Sequence, residues 1–181
     1  MKRTLPLLAL LGLVGCISMP KLHIGAGLSG VMPEDTDNLD GTYQLDFMVR
    51  VDVAMLQAEV SVGQKSYDYQ ADAVSSTETL EVMPLAAVIK YGIGASAAKL
   101  VIGAGIVQNI NDLDDASGAV SNVEDALGYR ITAGGQIGLP MGLGLVVELM
   151  YDFTEADVDD AATDDVNMNE LKVRLAATYQ F

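Results

Sequence analysis

Apolar and polar residues alternate with a period of two along much of the chain beyond residue 18, the mark of strands whose two faces meet different surroundings. The pattern is sharpest at the end. Leu171, Val173, Leu175, Ala177, Tyr179 and Phe181 share one face, and Lys172, Arg174, Ala176, Thr178 and Gln180 the other. An earlier segment sets Tyr43, Leu45, Phe47, Val49, Val51 and Val53 against Gln44, Asp46, Met48, Arg50 and Asp52. A third sets Leu56, Ala58, Val60 and Val62 against Gln57, Glu59, Ser61 and Gly63, and another Leu145, Val147, Leu149, Tyr151 and Phe153 against Val146, Glu148, Met150 and Asp152. Four fainter segments cover 22–31, 80–92, 99–108 and 129–139. Pro84 argues against a central strand in the second of these, because it cannot donate to a ladder.

Eight segments of about ten residues each match the length that crosses a hydrocarbon core when tilted. In lipid every backbone polar group needs a partner within the protein, and a closed sheet supplies one where an open sheet does not. The pattern therefore predicts an all-β fold, an eight-stranded antiparallel up-and-down transmembrane β-barrel. The gaps between segments support it. Short ones lie near Ala54, at 94–97 and at 140–144, and long ones at 32–41, 64–79, 109–127 and 155–168, as an eight-stranded meander requires. With the N-terminus on the periplasmic side, Tyr43, Tyr67, Tyr69, Tyr129, Tyr151 and Phe153 fall near outer ends and Tyr91, Tyr179 and Phe181 near inner ends. Two such aromatic girdles suit the two interfaces of a bilayer.

The first segment reads differently. Met1-Lys2-Arg3 is basic and 4–15 is apolar, a length that fits the core of a secretory signal and is too short for a membrane helix. The chain thus divides into an export signal at 1–18 and a barrel at 19–181. Leu13-Val14-Gly15-Cys16 resembles the lipobox of bacterial lipoproteins, which implies cleavage before Cys16 and acylation of its thiol. Ordinary signal-peptidase cleavage near Cys16 or Ser18 is the alternative.

Charge narrows the function. Ten basic residues face twenty-five acidic ones, for a formal net charge of -15. That balance excludes nucleic acid as a partner, since such binding draws on Lys and Arg neutralising phosphates. One Cys and one His cannot build a zinc or iron–sulfur centre, and no cofactor is expected. The acidic residues concentrate in the long gaps, including Asp112, Asp114 and Asp115 and the run from Glu155 to Asp165. They lack the spacing of an EF-hand loop and read as solvated loops, with divalent cations bridging them to lipopolysaccharide phosphates as a weaker role. The lumen faces carry Asp46, Arg50, Glu59, Lys90, Lys99, Arg130, Glu148, Lys172 and Arg174. An eight-stranded barrel is just wide enough for side chains to fill, and buried charges persist when paired, so these residues are expected to form a salt-bridged plug rather than a conduit. His23 lacks a Ser and an acid at its own depth and is not expected to be catalytic. Gly25, Gly27 and Gly30 have no following helix and read as a packed strand rather than a dinucleotide loop.

These residues resemble the small eight-stranded outer-membrane barrels of the OmpA-transmembrane, OmpX, opacity and OmpW-like kind. The ending, with Leu175, Ala177, Tyr179 and Phe181 at alternate positions, looks like their C-terminal assembly signal and implies insertion by the outer-membrane assembly machinery. The Gly-rich run from His23 to Gly30 looks like their first strand. The resemblance implies a multi-pass outer-membrane protein in contact with membrane lipids and lipopolysaccharide. Its expected role is non-enzymatic, in envelope structure or surface interaction. The alternatives are a narrow, porin-like transporter for small hydrophobic molecules, and a lipid-anchored, lipocalin-like carrier whose apolar residues would point inward.

Overall fold

The structure, a computed structural model, describes residues 19–34, 39–70, 77–95, 97–114, 124–156 and 166–181. Cys16, the export segment and half of the acidic loop residues lie outside them. Eight long strands form a closed, wholly antiparallel barrel: β1 (Lys21–Pro33), β2 (Thr42–Val53), β3 (Leu56–Gln70), β4 (Thr77–Ala95), β5 (Ala98–Asp114), β6 (Ala126–Gly138), β7 (Leu143–Phe153) and β10 (Glu170–Gln180). A short ribbon, β8 (Glu155–Ala156) with β9 (Val166–Asn167), stands in the connection between β7 and β10. Each long strand pairs with its neighbour in sequence, and β10 closes on β1, with His23 opposite Gln180 and Pro33 opposite Glu170. Among the described residues no helix is long and apolar enough to cross a membrane.

The stagger follows from the register. One circuit of the ladder passes from His23 through Arg50, Glu59, Val88, Gly105, Arg130, Asp152 and Glu170 to Pro33, ten residues along the strand it began on. A sheet of this strand number and shear closes with its strands tilted roughly 35–45° to the axis, leaving an interior that side chains fill.

Alternation assigns every strand an inside and an outside, and the apolar side is outside. Leu45, Phe47, Val49 and Val51 of β2 are exposed, while Gln44, Asp46, Arg50 and Asp52 are buried. β10 repeats this with Val173, Leu175 and Tyr179 outward and Lys172 and Arg174 inward. A carrier with apolar residues turned inward does not fit this arrangement. Among the described residues of the barrel strands, the outward-facing charged ones are Asp68, Glu81 and Asp112, all toward the long-loop end. The belt between is uncharged, as contact with lipid demands.

Three features depart from the sequence reading. β3, β4 and β5 run to 15, 19 and 17 residues, so much of the expected gaps at 64–79 and 109–127 is strand. Most of their outward residues there are polar (Gln64, Ser66, Asp68, Thr79, Asp112), with Ile110 apolar, and the ladder continues past the apolar belt because its hydrogen bonds do not depend on which face is apolar. Tyr67 is not in the outer girdle: it is buried inside the barrel at 2 % exposure. It is five residues beyond outward-facing Val62, which puts it on the opposite face. Pro84 lies in the middle of β4. The ladder to β5 is unbroken through Pro84 and Asn109, whereas the register to β3 skips from Val62–Leu85 to Lys65–Val82. The missing N–H is accommodated as a local gap, since a closed barrel has no edge strand on which to place it.

The short connections fall where expected. Ala54 and Met55 link β2 to β3, with Ala54 at φ 55°. A 3-10 turn at Pro140–Gly142 links β6 to β7, with Met141 at φ 64° and Gly142 at φ 79°.

Candidate functional site

Inward-facing charges from all eight barrel strands share an interior too narrow to hydrate them freely, so each must find a partner. They sort into three clusters along the axis. At the middle, Lys90 Nζ donates to Glu59 Oε2 at 2.8 Å and Glu148 Oε1 at 2.7 Å. Arg174 Nη2 donates to Glu59 Oε1 at 2.7 Å and to Glu148. Two cations and two carboxylates from β3, β4, β7 and β10 thus form a closed ring across the lumen, and no side chain in it is more than 2 % exposed. Glycines make the room. A Cβ on Gly103 would stand 2.7 Å from the Lys90 stem, and one on Gly134 would stand 2.7 Å from Glu148 Cγ.

Toward the long-loop end, Lys65 Nζ donates to both Glu170 oxygens, at 2.6 and 2.5 Å, and the Tyr67 hydroxyl donates to the same carboxylate. Lys172 pairs with Glu170 and, at 2.8 Å, with Asp152. Arg130 makes a two-pronged contact with Asp152 at 2.6 and 2.7 Å. Lys172 also donates to Gln44 Oε1 at 2.9 Å, and Gln44 in turn donates to Asp46, which accepts from Ser29 at 2.5 Å. An apolar cap that includes Val31, Leu39, Tyr67, Leu80, Val82 and Met168 accompanies this cluster, each of the six at most 2 % exposed.

At the short-turn end, Asp52 gathers Arg50 Nε at 2.9 Å, Lys99 Nζ at 2.8 Å and Gln57 Nε2 at 3.2 Å. Gln57 is tied across the barrel to Gln136 by two hydrogen bonds of 3.0 Å. His23 Nε2 lies 3.5 Å from Asp52 without a hydrogen bond. No hydroxyl among the described residues is hydrogen-bonded to it, so the Ser–His–acid geometry of a hydrolase is not assembled there.

The nine sequence-selected lumen residues all point inward, yet they do not form one network. Glu59, Lys90, Glu148 and Arg174 make the middle ring. Arg130 and Lys172 belong to the loop-end cluster, Asp46 is bonded by neutral donors, and Arg50 and Lys99 sit at the turn end, where Lys99 is half-buried. Sequence reasoning missed Lys65, Tyr67 and Glu170. Lys65 and Tyr67 fell in an expected gap, and Glu170 lies one residue before the expected start of its strand. Extending the period of two by a few residues places all three inside. Gly25 and Gly27 pack against β10, where added Cβ atoms would stand 2.7 Å from the Ala177 carbonyl and 2.6 Å from Ala176 Cβ, while Gly30 faces open space. Leu175, Ala177, Tyr179 and Phe181 line the outer face of the closing strand, with the Tyr179 and Phe181 rings edge-on at 4.9 Å. Among the described residues no group of three or more His, Cys, Asp or Glu is placed to hold a metal.

No protein-family model matches the sequence, and no curated protein matches it. Solved structures do. Neisserial surface protein A superposes with a TM-score of 0.66 at 13 % identity, over 91 % of this chain and 99 % of that one. The chain has the fold of the small outer-membrane β-barrels. A major outer membrane protein from Thermus thermophilus matches this outer-membrane barrel with a TM-score of 0.60 at 16 % identity, over 91 % of this chain and 100 % of its own. The outer membrane protein AlkL, determined in DMPC bilayers, matches at 0.61 and 14 % identity, over 89 % of this chain and 90 % of its own. The fold and the inverted distribution of apolar residues together describe a multi-pass barrel of the bacterial outer membrane.

Proposed function

We propose that this barrel is a non-enzymatic component of the outer membrane whose lumen is closed, and that it serves envelope structure or presents its acidic loops for surface interaction. The observation that carries the reading is the ring of Lys90, Arg174, Glu59 and Glu148, which fills the middle of the lumen with matched charge. The apolar cap near the loop end supports it. The short-turn end faces the periplasm, and Leu175, Ala177, Tyr179 and Phe181 act as the signal read by the assembly machinery. The acidic loops meet lipopolysaccharide through divalent cations. Planar-bilayer recording tests the closure: the purified barrel is expected to give no sustained conductance, and stable open channels at neutral pH would overturn the plug.

One observation favours a second reading, passage of small hydrophobic molecules through the wall. Beside the interrupted β3–β4 ladder lies a mainly apolar recess of about 430 Å3, bordered by Phe47, Val62, Gly63, Val82, Met83 and Ile110. Uptake of an apolar dye into vesicles holding the barrel, without ionic conductance, would favour this route over the closed structural role.

A further inference from the structure

We propose that the short-turn mouth of the barrel is a binding site for a phosphate-type oxyanion, held among Arg50, Lys99, Lys21 and His23. These four residues line a cavity of about 360 Å3 in which, among the described residues, Asp52 is the one carboxylate. At about 30 Å3 per water molecule that space equals roughly a dozen waters, ample for a phosphate group and a small substituent.

The charge there is unmatched. In the middle ring two cations meet two carboxylates. At the loop end Lys65, Arg130 and Lys172 meet Asp152 and Glu170 directly, and Asp46 through Gln44. At the turn end Lys21, Arg50 and Lys99 face Asp52 alone among the described residues, and Asp52 already accepts from Arg50, Lys99 and Gln57. The surplus is local, in a chain whose formal net charge is -15.

A second observation points to a ligand. Arg50 is 3 % exposed, and its Nη1 has no hydrogen-bond partner among the described residues. A buried guanidinium N–H left unmet costs the desolvation of a charged donor. His23 Nε2 is also buried and unmet there. Arg50 and Lys99 spend one donor each on Asp52, so their remaining donors belong to separated groups around one space. A tetrahedral dianion can accept from several directions at once, and guanidinium and ammonium groups are the usual means of holding it. Two sources offer this chemistry: a free phosphate compound in the aqueous compartment, or the headgroup of a phospholipid at the rim, where Lys21 is exposed.

Calorimetry on the full barrel, folded in an uncharged maltoside detergent at constant ionic strength, tests the site. One arm titrates inorganic phosphate, the other monomeric dihexanoyl phosphatidylglycerol. Saturable binding is expected in at least one arm. Arg50→Gln should weaken it about tenfold or more, the scale of one charge-assisted hydrogen bond, and Lys21→Gln by a smaller factor. Binding of inorganic phosphate assigns a free ligand, and binding of the lipid alone assigns a headgroup. Heat-modifiable gel migration checks that each variant folds. Lys21 is exposed, so Lys21→Gln decides the matter should Arg50→Gln fail to fold. Absence of binding in both arms, or affinities unchanged by the substitutions that fold, would overturn the proposal.

Discussion

Lys90 touches both carboxylates of the middle ring, and Arg174 touches the same two. Removing one cation leaves two buried carboxylates to share the other. Lys90→Met is therefore expected to destabilise the barrel by about 3–5 kcal/mol, the usual result of breaking a buried pair. Urea unfolding from lipid vesicles would measure it. Adding Glu59→Gln to that variant should recover part of the loss, and purely additive effects would mean that the two residues are not coupled. Ala54 offers the opposite sign. It holds φ 55° at the first position of a two-residue hairpin, where glycine is favoured. Ala54→Gly should raise stability by about 1 kcal/mol, the strain of an L-residue in the left-handed region, read as a higher urea midpoint.

The closing strand β10 presents Leu175, Ala177, Tyr179 and Phe181 to the exterior. If this face is the assembly signal, Phe181→Ala should lower the fraction of chains that reach the membrane in heat-modifiable form while leaving the urea midpoint of the folded fraction nearly unchanged. An equal loss in both would assign the ring to packing instead. Strands were legible in the sequence to the extent that their two faces contrasted. In β2, β7 and β10 one face is apolar throughout and every charged or amide residue falls on the other, so the inside could be named from the sequence. Beyond Val62 the outer face of β3 becomes Gln64, Ser66 and Asp68, so contrast vanishes although the strand continues. Lys65 and Tyr67 were lost with it, and with them two members of the loop-end cluster. The grouping into three clusters was not legible at all, because it depends on the shear of the closed sheet, which brings together residues far apart in sequence, such as Lys65 and Glu170.

For the molecule as a whole, the apolar belt and the charged interior make lipid the solvent of the exterior. A cation placed on the belt has no partner. Ile131→Arg, near the middle of β6, is expected to cost about 2–4 kcal/mol, whereas Thr79→Arg, on the polar extension of β4, should cost little. Equal costs would mean that the belt does not mark the bilayer. Outer membranes washed with urea and carbonate should retain the protein, and its band should migrate faster unboiled than boiled. Release by the wash would contradict the membrane-spanning fold.

The pairing of β1 with β10 also sets the order of events in the life of the chain. His23 meets Gln180, a contact across nearly the whole length of the barrel, and such distant pairings are slow to form. β10 is the last of the strands to be synthesised, so every shorter nascent chain exposes two raw sheet edges, each a template for pairing with a stranger. The ring cannot tighten gradually. Until its final strand arrives both edges stay open, and a proteolytic fragment lacking that strand should aggregate rather than persist as a smaller barrel.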